Sequence, residues 1–162
     1  MKAFKSLAVV LVLTSLLVGC EKWKDIFHKK EKKEEKKVYT AENLPMSGLQ
    51  ENPQRETLAT GLINARYDTE SKMLNFTVKW QDLTGIPVGS HIHGTAARGV
   101  NAGIKYDFFN IFPKELAGTF TNSVMVDGVA IKEDSLIMGF YYINIHTPKY
   151  PGGEIRGQLE FK

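Results

Sequence analysis

His91 and His93 stand two residues apart in Ser90-His91-Ile92-His93-Gly94, and His146 closes the run Tyr142-Ile143-Asn144-Ile145-His146. Side chains of an extended strand alternate between faces, so His91 and His93 share one face while Ile92 points to the other; Asn144 and His146 separate from Ile143 and Ile145 in the same way. The isoleucines seek a core, which leaves every histidine of this region on a polar face. Three neutral imidazoles brought together suit zinc or copper, with a fourth position open to water or to Glu154. Asn144 or Glu154 would then orient a ring from behind. The same residues also compose a plain hydrogen-bonded clasp, in which His91, His93, Asn144, His146, Glu154 and Arg156 pin strands together without an ion.

The closing run Gly153-Glu154-Ile155-Arg156-Gly157-Gln158-Leu159 decides which groups can join. Ile155, Leu159 and Phe161 fall on one face with Gly157, and Glu154, Arg156, Gln158 and Glu160 on the other. If this strand forms a hairpin with the one before it, directly opposed residues share a face. His146 therefore meets Glu154 or Arg156 only in a register that opposes even-numbered residues, and a slip of one residue disperses the set. Glu154 and Arg156 are spaced to pair with each other or with the histidines.

The elements that must position these groups read as strands. Leu74, Phe76, Val78 and Trp80 alternate with Asn75, Thr77 and Lys79, a half-buried strand with Trp80 in the core. Further strand candidates are Leu58 to Tyr67, Ser90 to His93, Ile104 to Asn110, Leu116 to Met125, Ser135 to Thr147 and Glu154 to Phe161, and no helical stripe competes with them. Turn chemistry separates them at Asp68-Thr69-Glu70-Ser71, Gly85-Ile86-Pro87, Asn101-Ala102-Gly103, Asp127-Gly128 and Pro151-Gly152-Gly153. Seven or so short strands at this spacing predict an all-β domain, a Greek-key sandwich or barrel of immunoglobulin-like or superoxide dismutase-like type, over residues 38–162.

Several chemistries are excluded. No serine or cysteine is placed with a credible base for nucleophilic catalysis. Gly94, Gly99 and Gly103 follow the His-x-His strand in a flexible loop, suited either to gating a ligand or to the ordinary turns of a connecting loop, and match neither a phosphate-binding loop nor a dinucleotide fingerprint. From Val38 onward there are eleven lysines and arginines against thirteen aspartates and glutamates, so the domain is mildly acidic and carries no footprint for nucleic acid.

The first 37 residues are of a different kind. Lys2 and Lys5 precede an apolar stretch from Leu7 to Val18, too short to span a bilayer comfortably, and the segment 1–19 reads as an export signal. Leu17-Val18-Gly19-Cys20 resembles the lipobox of bacterial lipoproteins, which implies that Cys20 is lipidated and becomes the mature N-terminus. Cys20 is the only cysteine, so no thiol remains for a disulfide. Acylation contributes about 0.8 kcal/mol per buried methylene, enough for several chains to hold a protein at a membrane. Residues 20–37 then form a charged tether. Its pairs Glu31 with Glu35 and Lys32 with Lys36 are like-charged at helical spacing, so it is a solvated spacer that buries no core. Glu21 follows the cysteine where aspartate commonly signals inner-membrane retention, which places the expected anchor in the outer membrane.

Leu44-Pro45, Glu51-Asn52-Pro53, His91-Ile92-His93-Gly94 and the run from Tyr142 to Gln158 together resemble the CHRD domain, the module named after chordin and found in many bacterial secreted proteins. The likeness covers about Val38 to Lys162. It implies an extracytoplasmic module that binds or supports, with an unidentified envelope or extracellular partner and no catalysis. A weaker likeness is to copper/zinc superoxide dismutase, in whose pattern His91, His93 and His146 would take copper positions and Arg156 that of an anion-guiding arginine. The disulfide pair, the zinc loop and a fourth domain histidine of that family have no counterpart here, His28 lying in the tether. The second expectation is therefore a copper or zinc protein with redox activity as its furthest extension.

Overall fold

The computed structural model describes residues 35–162. The expected signal, Cys20 and the tether up to residue 34 lie outside the described residues. Among the described residues no helix is long and apolar enough to cross a membrane.

Eight antiparallel strands make one continuous sheet: β1 (Val38–Ser47), β2 (Thr60–Asp68), β3 (Met73–Gln81), β4 (Gly89–Gly94), β5 (Ile104–Asp107), β6 (Gly118–Met125), β7 (Tyr141–His146) and β8 (Ile155–Leu159). Their order is β5-β4-β7-β8-β1-β2-β3-β6. The sheet curls until its edges approach: the Tyr106 hydroxyl on β5 donates to the Met125 carbonyl on β6 at 3.1 Å, and Phe108 and Phe120 rings lie 5.5 Å apart. Read round the curl the strands run 1-2-3-6-5-4-7-8, the Greek-key order expected of a barrel.

Alternation explains the interior. Ile63, Ala65 and Tyr67 of β2 face Val78, Phe76 and Leu74 of β3 across the ladder, and all six are buried. Ile92, Ile143, Ile145, Ile155 and Leu159 supply the wall beneath the polar cluster and are fully buried. Each such aliphatic side chain contributes roughly 1.5–3 kcal/mol on leaving water. Trp80 is in the core as expected, with Nε1 donating to the Glu115 carbonyl at 3.0 Å.

Three elements differ from the sequence reading. β1 is an eighth strand that alternation does not reveal. Its pairing with β2 slips between Ala41 and Leu44, and Asn43 sits at φ 53 with its N–H on Asn64 Oδ1. The inward set therefore changes from odd to even residues along the strand, as a bulge requires. The span Ser135 to Thr147 is not one strand: α1 (Glu133–Ile137) opens the segment, Gly139 at φ 77 ends it, and β7 follows. β5 stops at Asp107, where its carboxylate caps the turn through the Phe109 N–H. Lys37 at the end of the tether is already fastened to the domain, by its N–H on Thr69 Oγ1 and its carbonyl under the Thr69 N–H.

Candidate metal centre

Two registers assemble the cluster. β4 and β7 pair Gly89 with His146, His91 with Asn144 and His93 with Tyr142. β7 and β8 pair Asn144 with Arg156 and Tyr142 with Gln158. Even-numbered residues oppose one another in the second hairpin, so all these side chains share the face away from the isoleucine core. The strands alone put His91, His93, Asn144, His146, Arg156 and Gln158 into one patch.

The three imidazoles converge. One ring nitrogen of each lies within 4.8 Å of the other two. His91 Nδ1 is 2.9 Å from His146 Nε2, and the Asn144 Oδ1 stands 3.1 Å from His93 Nε2 and 2.9 Å from His146 Nε2. Gly89 makes room: a Cβ there would sit 3.2 Å from His91 Cε1 and 3.7 Å from His146 Cδ2.

The opposite nitrogens fix where the protons are. His93 Nδ1 meets the Ala102 carbonyl at 2.9 Å and His146 Nδ1 the Pro151 carbonyl at 2.9 Å. His91 Nε2 lies 3.4 Å from Asp107 Oδ1. A carbonyl or carboxylate can only accept, so the neutral tautomer that satisfies these three acceptors has its proton on the outer nitrogen of each ring. A neutral ring then turns a lone pair inward at His91 Nδ1, His93 Nε2 and His146 Nε2. Burial favours the neutral form at all three: it depresses His91 and His93 against the opposing pull of Asp107 and of the Ala102 carbonyl, and lowers His146 to about 4. Outer N–H groups held by acceptors and inner lone pairs aimed at one point are what a metal requires of histidine.

This outward-facing layer is nevertheless largely covered, with His93 and His146 each 8% exposed and the His91 side chain 13%. Arg156 carries its guanidinium 4.0 Å over the Tyr142 ring, and that ring stacks on His93 at 4.8 Å. Arg156 also holds the loop 95–103, through the Val100 carbonyl at 3.2 Å and Asn101 Oδ1 at 2.6 Å. Gln158 donates to Ala96 and Gly139 carbonyls, and the Ala102 N–H donates to the Tyr142 hydroxyl. The glycine-bearing loop read from the sequence as a flexible gate is thus fastened down by the residues it covers.

Glu51, in the loop after the 3-10 turn Gly48–Gln50, completes the cover. Arg156 Nε and Nη2 both donate to its Oε2, at 3.0 and 2.8 Å. Its Oε1 is buried and accepts no hydrogen bond among the described residues. Burial pushes the carboxyl above the ordinary range, while Arg156 and the neighbouring Asn144 amide pull it back. Sequence reasoning singled out Glu51 only as part of the Glu51-Asn52-Pro53 motif. Nothing in local spacing ties it to Arg156, 105 positions away.

Glu154 is placed elsewhere than expected. Its carboxylate is fully buried and accepts from Thr57 Oγ1 at 2.6 Å, Thr147 Oγ1 at 2.7 Å, Thr84 Oγ1 at 2.9 Å and the Thr84 N–H at 3.0 Å. It pairs with neither Arg156 nor a histidine, and it closes the barrel end. Arg156 is taken up by Glu51, Tyr142 and the loop.

The architecture defines a Greek-key β-barrel with a buried polar layer on the outside of β4, β7 and β8. The CHRD domain family model matches residues 43–159 of the chain, and the protein belongs to that family. No curated protein and no solved structure matches it.

Proposed function

We propose that this protein is a lipid-anchored, extracytoplasmic CHRD module that binds rather than catalyses, and that what its polar layer binds is one zinc or copper ion, held by His91, His93 and His146. The observation that carries the reading is the convergence of three ring nitrogens within 4.8 Å of one another while the opposite nitrogen of each ring faces an acceptor. With the protons on the outer nitrogens, three lone pairs and the Asn144 oxygen meet with no hydrogen among them, His91 Nδ1 lying 2.9 Å from His146 Nε2 and Asn144 Oδ1 2.9 Å from His146 Nε2 and 3.1 Å from His93 Nε2. A cation at their centre removes that conflict. Four-coordinate zinc with bonds of about 2.0–2.1 Å separates its donors by about 3.3 Å, so the His91–His146 pair at 2.9 Å needs to spread by only a few tenths of an ångström, and all three donor atoms already lie within 4.8 Å of one another.

Anchoring rests on the sequence: the apolar leader, the lipobox ending at Cys20 and the charged tether suit an outer-membrane lipoprotein whose domain meets an envelope partner. Metal analysis of the purified full chain is the deciding experiment. About one equivalent of zinc or copper is expected, lost on His91→Ala or His146→Ala. A protein that takes up neither ion, with thermal stability unchanged on adding either, reduces the cluster to a hydrogen-bonded clasp. Cys20→Ser should abolish incorporation of labelled fatty acid and release the protein from membranes.

A further inference from the structure

Resting on the metal reading above, we propose that Asn144 Oδ1 is the fourth donor to the ion, so that the centre is closed with three nitrogens and one oxygen and keeps no exchangeable water. Glu51, clamped by Arg156, is the positioning residue that turns the Asn144 amide this way.

Three distances among the four donors already approximate the edges of a coordination tetrahedron: 2.9 Å from His91 Nδ1 to His146 Nε2, and 3.1 and 2.9 Å from Asn144 Oδ1 to His93 Nε2 and His146 Nε2. The oxygen therefore occupies the side of the histidine trio where a water would otherwise bind. Asn144 is 1% exposed. Glu154, the other oxygen donor in this part of the sequence, is committed to three threonines.

The far end of the amide explains the orphaned oxygen of Glu51. A Cβ placed on Gly153 would lie 2.3 Å from Glu51 Oε1 and 2.9 Å from Asn144 Nδ2, so both atoms press on the same spot beneath that glycine. An unpartnered carboxylate oxygen, 97% buried by residue, lies beside an NH2 group. Reversing the amide would bring Asn144 Oδ1 against Glu51 Oε1, acceptor against acceptor, between residues only 1% and 3% exposed. With Nδ2 toward the carboxylate, negative charge behind the amide makes Oδ1 a better ligand, as an anionic partner does behind a ligating histidine. The chain Arg156–Glu51–Asn144 thus delivers one oxygen to the ion.

A centre closed in this way holds its ion as a fastener between β4, β7 and the covering loops, and offers no site for water activation. The test uses the full chain loaded with cobalt(II), whose visible bands report coordination, and titrates it with azide. The wild type should not respond up to tens of millimolar azide. Asn144→Ala should bind cobalt about 10–100-fold more weakly and shift its bands with azide, Asn144→Asp should stay silent, and Glu51→Gln should respond between the two. A wild-type spectrum that moves with azide overturns the fourth-donor assignment while leaving the three-histidine site intact, and needs no variant to fold. Glu51→Gln as indifferent as the wild type overturns the part given to Glu51. Cobalt that does not bind, or binds equally to His146→Ala, removes the histidine site and this inference with it.

Discussion

Arg156 of β8 and Glu51 of the loop after β1 form an ion pair whose side chains are 3% and 1% exposed, with both Nε and Nη2 of the arginine on one carboxylate oxygen. The pair ties the covering loops to the sheet. Two charges without water repay their desolvation only while each has the other. Arg156→Met or Glu51→Leu alone should therefore cost about 3–5 kcal/mol in urea denaturation. The double substitution should recover a large part of that loss, because no uncompensated charge remains. Equal losses in the single and double variants would show that the pair is not the source.

Glu154 anchors the barrel end by accepting from Thr57, Thr84 and Thr147. Glu154→Gln replaces one acceptor oxygen by a donor that faces hydroxyl and amide hydrogens. It should lower stability by about 1–3 kcal/mol, the cost of leaving buried polar groups unmatched. The same variant should keep its metal content, since Glu154 does not touch the histidines. Metal loss at unchanged stability would contradict the separation of the two clusters.

Gly153 has φ 118, and its Cβ would collide with Glu51 Oε1. Gly128 has φ 76, with nothing within 4 Å of the added atom. Gly128→Ala should cost only the backbone penalty of about 1–2 kcal/mol for a left-handed residue. Gly153→Ala should cost clearly more and also lower metal content, because it drives Glu51 and the Asn144 amide from their places. Matching losses, measured by thermal melting, would mean that the crowding beneath Gly153 is inconsequential.

The metal-free protein should lose stability as pH falls below neutral. Burial holds His146 at about 4 against 6.5 in the unfolded chain, and depresses His91 and His93 as well. Between those values the unfolded chain binds more protons than the folded one, so stability rises with pH across that window and levels off above it. His146 alone accounts for about 3 kcal/mol. Glu51, whose carboxyl is raised, acts in the opposite sense above pH 4.5, one group against three. Urea midpoints of the chelator-treated protein should climb from pH 4.5 to 6.5, and a flat profile would contradict the buried neutral imidazoles.

Part of this site is legible in the chain. Ile92, Ile143 and Ile145 sit at alternate positions to His91, His93, Asn144 and His146, and that alternation sorts core from polar face before any coordinates exist. The even-to-even register that keeps Asn144 opposite Arg156 is one of two parities the sequence allows. β1 is hidden because its bulge breaks the period of two, and α1 because five residues make too little of a stripe to see.

The residue types and their period of two, properties of a single strand, determine by themselves that the domain is all-β and that its histidines leave the core. The burial of those histidines, the pairing of Arg156 with Glu51 and the diversion of Glu154 to three threonines are decided by the tertiary structure. Each depends on which loop lies over which strand. A loop's path follows largely from contacts distant in sequence, up to the 105 positions between Glu51 and Arg156, and no local spacing records such contacts.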